Sequence, residues 1–453
     1  MTPDTRPADR GRYILLAAAA AALVGLLAIA LLINAQRSAD PDPAAVVPPS
    51  SGQSSPSAAP SSPESQPLAS EAPAEPLPSP AGTSSQPPPT ASAPSNGPSP
   101  SGAPVPSTSP STPVDEAPSD ELRMRLVEEI TGRINPKSVE ASQTGLIFAQ
   151  NNIYRHTISV YDRDFELVKT LKDSIVLAAW GYPEYPERVQ GGPVEAAFSP
   201  DGRYAYVTNR SMYGPGFPRP GPLIDQCSPA SDIDRSFVVE YDVESLEKTR
   251  VFQVGSLPKD LIVTPDGTML LVSNWCSYDL SVVDLASGEE TRRIDTGPYP
   301  RGIAVDPTST FAYVAHLGSN DIARVSLENG RVRDVRNVGP SPRDVLMSPD
   351  GRFLYVSLDQ GGGVAKVDIK ERLVVKRVAT GREPRSMTMA PDGLSVYVVH
   401  WGGGTASKIR TRDMKVLQTV QTGYHPIGIT YDNATRQVWV STYPGTIRIF
   451  QEE

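Results

Sequence analysis

Five cations occupy one place in a repeating pattern. Lys137, Lys259, Arg301, Arg343 and Arg385 each follow a proline directly, and the prolines at 258, 300, 342 and 384 lie 42 residues apart. If the repeats are arranged about an axis, these side chains share a centre. Guanidinium and ammonium groups on one concave surface hold carboxylates, phosphates or acidic polymers. The competing reading makes each cation structural, paired with Asp260, Asp344 or a carboxylate of a neighbouring repeat. A second column holds Asn209, Asn274, His316 and His400, followed in two repeats by Trp275 and Trp401. The polar members suit strand ends, and the tryptophans suit either packing or stacking on a sugar or peptide.

Chemistry that depends on a fixed constellation has no signature in the chain. His316 and His400 are not part of an HxH or HExxH pattern or a cysteine cluster, so no metal site is expected. No Ser–His–Asp order, nucleophile elbow, phosphate loop or dinucleotide fingerprint occurs, so neither a catalytic residue nor a cofactor is expected. The glycine runs 361–363 and 402–404 precede no helix and fit tight loops better than a phosphate cradle.

The elements that must position these residues follow from the repeat itself. The period continues to Pro426, while Pro136 and Pro193 are earlier copies 57 and 65 residues from their successors, so their repeats carry insertions of 15 and 23. In each copy a short apolar strand leads to a turn such as Ser199-Pro200-Asp201-Gly202 or Thr264-Pro265-Asp266-Gly267. Proline presets the turn and glycine accepts its positive φ. A second strand follows, as in Tyr206-Val207-Thr208-Asn209, then an alternating third, Leu280 to Asp284, and a fourth closing near Gly297. Four short strands per 42 residues match a propeller blade, in which radial repetition hides sheet edges. Seven repeats predict an all-β, seven-bladed β-propeller of four-stranded blades. The last repeat ends after three strands, and residues 122–130 align with the strand that closes the sixth repeat. An N-terminal strand completing the last blade is therefore expected, with a helix over 121–130 as the competing expectation.

The Tyr206-Val207-Thr208-Asn209 motif, the Ser/Thr-Pro-Asp-Gly turns and the 42-residue spacing resemble the YVTN-repeat family of β-propellers, over residues 121–453. The resemblance implies a seven-bladed propeller on an exported or surface protein. Its wider superfamily includes sugar lactonases and heavy chains of quinoprotein dehydrogenases, so fold kinship does not choose a function. A lactonase-like hydrolase using the central channel, or a redox-associated subunit, rests on that resemblance alone. No lactonase site maps onto these positions residue by residue.

Strand polarity places the loop entering strand one and the loop joining strands two and three on one side of each blade. That side then carries the five cations, the Asn/His column, Trp275, Trp401, Tyr299 and Tyr424. Both insertions, residues 173–192 and 210–236, fall there too. So do the two cysteines: Cys227 in the long loop of the second blade and Cys276 in the equivalent loop of the third. A disulfide between them is expected in an oxidising compartment.

Residues 13–33 are 21 consecutive uncharged, mostly apolar residues, preceded by Arg6, Arg10 and Arg12. That length crosses a bilayer as a helix and the flanking charge keeps the N-terminus inside. A cleaved signal peptide is the alternative. Residues 41–120 hold 23 of the 47 prolines and no Lys, Arg or aromatic residue. Such a segment cannot bury enough apolar surface to fold, and it reads as a disordered stalk suited to O-glycosylation. The expected organisation is a cytoplasmic segment 1–12, a signal anchor 13–34, a linker 35–120 and a propeller 121–453. The net charge of −9 is −3 over residues 121–453, with 38 basic and 41 acidic residues there. Near-neutrality gives no case for nucleic-acid binding. A monomeric, membrane-tethered binding or scaffold module is expected, facing a cell-wall polymer, a surface protein or an anionic small molecule outside the cell.

Overall fold

In the computed structural model, which describes residues 117–152, 155–218 and 224–453, seven antiparallel sheets form a β-propeller. The apolar segment and most of the stalk lie outside the described residues. Among the described residues no helix is long and apolar enough to cross a membrane.

The third blade shows the plan, with strands Pro258–Val263, Met269–Asn274, Asp279–Asp284 and Glu289–Asp295 in order from the axis outward. Its second strand is buried on both faces, whereas the outermost alternates with solvent. That is why the second strands read as continuous Val, Leu and Tyr rather than as an alternating pattern: each blade packs face to face on the next. Tyr206, Phe252 and Val254 of the second blade meet Leu261, Val272 and Val283 of the third in one such core. The Pro-Asp-Gly turns form as expected, with the N–H of Gly267 donating to Thr264 O at 2.8 Å and Gly267 at φ 73°.

Two features recur at every proline from 258 to 426. The preceding residue, Leu257, Tyr299, Ser341, Glu383 or His425, has a left-handed backbone with φ between 51° and 55°. The pairing register then slips just after the proline, as between Pro258 and Asp260 or Pro342 and Val345. A bulge of this kind turns consecutive side chains toward one face. It lets both residues after the proline face the channel.

The second blade departs from the four-stranded plan. Ser174–Val176, inside the first insertion, pairs with an elongated Arg188–Phe198 and makes it five-stranded. A one-turn 3-10 helix, Leu177–Trp180, lies between the two strands.

The ring closes through its N-terminus. Met124–Ile130 pairs antiparallel with Thr446–Glu452, so the strand expectation holds and the helix does not form. The closing strand is held from the side as well. The Gln418 side chain bonds both the N–H and C=O of Met124, at 2.8 and 2.9 Å. Beside it, Lys408 is fully buried and contacts Glu452 and the carbonyls of Ser119 and Leu122. Glu452 also accepts from Tyr397 Oη at 2.6 Å and Tyr431 Oη at 3.1 Å. One buried ion pair thus joins the sixth blade to both chain ends.

Candidate functional site: the mouth and channel of the propeller

The five cations do converge. Lys137, Lys259, Arg301, Arg343 and Arg385 line one cavity of about 360 Å³ at the channel mouth. The loop polarity inferred from the repeat is therefore correct. Arg210 joins them from the second insertion.

Of the expected partners, Asp260 and Asp344 do not pair with these cations, whereas carboxylates of neighbouring blades do so for Lys259 and Arg385. Asp225 takes Lys259 Nζ at 2.7 Å and Arg210 at 2.9 Å, and Asp359 sits 3.4 Å from Arg343 and 3.9 Å from Arg385. Asp260 and Asp344 instead staple blades together. Asp260 accepts from its neighbour Leu261 N–H and from Ile303 N–H of the next blade, at 2.9 and 2.8 Å. Asp344 does the same with Val345 and Met387 at 2.8 and 2.7 Å. A short carboxylate facing the channel just after the bulge reaches the next blade's innermost strand, so the backbone outcompetes the cations for it.

Six cations against two carboxylates leave a formal excess of +4 at the mouth. Burial and mutual repulsion lower every one of the five column cations. Lys137 falls to about 7, Arg301 and Arg343 to about 9, and Arg385 to about 10, while Lys259 is lowered well below its usual range despite Asp225. The guanidiniums stay charged at neutral pH. Arg301 and Lys137 have no carboxylate or carbonyl partner among the described residues, and Arg301 Nε, like Arg385 Nε, is buried without an acceptor. The Arg301 guanidinium lies 5.3 Å from the Trp275 ring instead. A buried cationic group left unmatched is costly, and an anion in the mouth would relieve it.

The Asn/His column does not reach the mouth. Asn209, Asn274 and His400 are fully buried in their blades and His316 nearly so. Asn274 Nδ2 donates to Asp279 Oδ1 at 2.7 Å and to Ser281 Oγ at 2.8 Å, tying adjacent strands. His400 fits because Gly381 lies beneath its ring, where a Cβ would come within 2.6 Å of Cγ. Burial lowers both histidines to about 4, so they are neutral packing groups near pH 7. The mouth is lined by the following residue in six of the seven blades: Asn152, Arg210, Trp275, Leu317, Trp401 and Tyr443. Both tryptophans are thus at the site, with their faces engaged. Trp275 packs on Tyr299 at 4.7 Å and donates Nε1–H to Asp225 O at 2.9 Å. The Arg385 guanidinium lies 3.7 Å from the centre of Trp401, and His425 stacks on Trp401 at 4.1 Å, too close for both to share one face.

The disulfide between Cys227 and Cys276 is present, with Cα atoms 5.2 Å apart. Together with the Trp275 and Lys259 bonds it fixes Asp225 over the mouth.

Below the mouth lies a second cavity of about 340 Å³, which shares Lys259, Arg301 and Arg343 with the first and is lined further in by Glu140, Glu195, Asp260 and Asp344. Burial raises these carboxyls: Asp344 to about 6, Glu195 to about 7, and Glu140 and Asp260 well above their usual range. Glu195 shares the column of Asp260 and Asp344, two residues after the proline, so the repeat could have shown it. Glu140, four residues after its proline, has no acidic counterpart in the other blades and no such signal. Asp359 and Arg210 share the column of the tryptophans and were equally open to reading.

No family model matches the chain, and no curated protein matches it. Among solved structures, a chain of Kuenenia stuttgartiensis hydrazine synthase superposes with a TM-score of 0.55 at 18% identity, covering 71% of this chain and 97% of that one. As many as 1714 solved chains are similar to this protein, so the likeness establishes the propeller fold and selects no activity.

Proposed function

We propose that the protein is a YVTN-type propeller held outside a membrane by its N-terminal segment and stalk, whose channel mouth binds an anionic group. The group is a carboxylate or phosphate of a wall polymer, a surface protein or a small molecule. The single observation that carries this reading is a cation ring with a formal excess of +4, in which Arg301 and Lys137 form no ion pair. The oxidised Cys227–Cys276 pair and the apolar run at residues 13–33 support the location.

The test is calorimetric titration with inorganic phosphate and with polyglutamate. Arg301→Gln should weaken binding about tenfold, the loss of one charge-assisted contact worth roughly 1.4 kcal/mol. The triple change of Arg301, Arg343 and Arg385 to Gln should abolish it with the melting temperature retained. Unfolding of the triple variant while Arg301→Gln binds normally would make the ring structural.

A further inference from the structure

The inner cavity carries charge of both signs, and among the described residues no ion pair joins them. Lys259, Arg301 and Arg343 stand at the end it shares with the mouth, and Glu140, Glu195, Asp260 and Asp344 line the rest. Among the described residues, the ion pairs of these cations run outward to Asp225 and Asp359, and none reaches a carboxylate of the chamber. Asp260 and Asp344 are occupied by backbone N–H groups. Glu140 and Glu195 are not so occupied. Glu140 takes one hydrogen bond, from Thr430 Oγ1 at 3.2 Å. Glu195 meets the Ser138 hydroxyl, which already serves Gln150 and the Val194 carbonyl.

Glu140 has no cation acting on it, and Lys137 and Arg301 act on Glu195 without forming an ion pair with it, so both carboxyls can hold their protons or take a cation. No three carboxylate or imidazole groups converge as metal ligands do among the described residues. An ammonium group asks less, needing two or three acceptors around one nitrogen. The cations at the other end ask for the opposite charge. A molecule bearing both satisfies both ends and brings no net charge into the channel.

The geometry points to a binding site for a small zwitterion in this chamber, an amino acid or amino phosphate whose anionic end meets Arg301 and Arg343 and whose ammonium meets Glu195 and Glu140. It rests on the reading that the ring takes an anion, and it adds the kind of molecule to which that anion belongs. The volume of about 340 Å³ equals that of on the order of ten liquid water molecules, which sets the size of the ligand. Such a ligand matches the free amino acids and amino-bearing fragments released from peptide-containing polymers, rather than the polymer itself.

The experiment is calorimetric titration of the full-length protein with a matched series: glycine, β-alanine, 4-aminobutanoate, 5-aminopentanoate and 6-aminohexanoate against the alkanoates of equal carbon number. At least one amino acid should bind ten times more tightly than its alkanoate. Glu195→Gln should remove that advantage without lowering the melting temperature, and Arg301→Gln should weaken both members of the pair. The proposal is overturned if no amino acid gains on its partner, or if the gain survives in the Glu195→Gln, Glu140→Gln double variant. If the alkanoates and phosphate alike fail to bind, or bind equally well to Arg301→Gln, the anion reading fails and takes the zwitterion site with it. Alkanoate binding that is lost in Arg301→Gln, with no amino-acid advantage, leaves the anion reading standing and removes only the zwitterion.

Discussion

His316 and His400 occupy a place that Asn151, Asn209 and Asn274 fill in the first three blades, at the end of the second strand in every case but Asn209, whose strand runs on to Tyr213. The substitution of an imidazole for an amide has a consequence that depends on acidity. In the unfolded chain these histidines take a proton near pH 6.5, and in the folded protein only near 4. Their contribution to stability is therefore complete above pH 6.5 and lost as the pH falls through 4. Replacing both by Asn should flatten that loss by on the order of 2–3 kcal/mol per site between pH 7.5 and 4.5. Glu195 and Asp344, raised by burial, act in the opposite sense, losing stability as the pH rises from about 4 toward 7. They are common to both proteins, so the difference between the two melting curves isolates the histidines. Parallel acid limbs would show that the imidazoles are protonated in the fold. At this scale the sequence was a fair guide to residue type and a poor one to direction. The columns Lys137 to Arg385 and Trp275 to Trp401 were legible because a recurring residue must recur in space. That Asn209 and His400 turn into the blade, and their successors into the mouth, depends on the side-chain parity of a strand end, which composition does not state.

At the scale of the element, strand order and ring closure followed from the 42-residue period, and the exceptions lie where the period breaks. The insertion before the second blade supplies a fifth strand, Ser174–Val176, because its Ser-Ile-Val run finds the extended edge of Arg188–Phe198. Nothing in the repeat announced it. Nor did the repeat announce Lys408, whose third-strand position is Lys366 in the fifth blade and Arg324 in the fourth. Only in the sixth does it meet Glu452 and the carbonyls of Ser119 and Leu122. Lys408→Met should strand Glu452 among two tyrosines and leave the Ser119 and Leu122 carbonyls without their donor. The expected loss is on the order of 3–5 kcal/mol, as for other half-deleted buried pairs. Lys408→Met with Glu452→Gln should recover part of it. The readouts are the melting temperature and protease cutting within residues 117–130. An unchanged melting temperature for the single variant would show that the pair does not hold the seam.

Across the whole molecule, charge is distributed unlike its total. The folded part is nearly neutral, yet it gathers a formal excess of +4 at one end of its axis and carboxyls within. On the proposed reading, such a pattern would draw anions to the mouth through the field of a narrow opening rather than through net charge. The disulfide belongs at this scale too, because it joins two blades across 49 residues of chain. Loop-closure entropy sets its contribution at about 4 kcal/mol. Replacing Cys227 and Cys276 by Ser should lower the melting temperature and free Asp225 from Lys259, tightening phosphate binding as the internal carboxylate leaves. Alkylation of intact cells before lysis should recover the linked 227–276 peptide. Two alkylated thiols would place the propeller in a reducing compartment and remove the pairing together.

The chain leading into the closing strand has a mechanical meaning. Chain entering the propeller is gripped by Asp392 at Ser119, by Arg412 at Asp120, by Lys408 at Ser119 and Leu122, and by Arg436 at Ala117. Three of these grips come from the sixth blade and one from the seventh. Tension along the preceding chain is therefore spread into two blades before any of it reaches Met124. The strand that closes the ring is thereby shielded from peeling under a pull on the chain that leads into it.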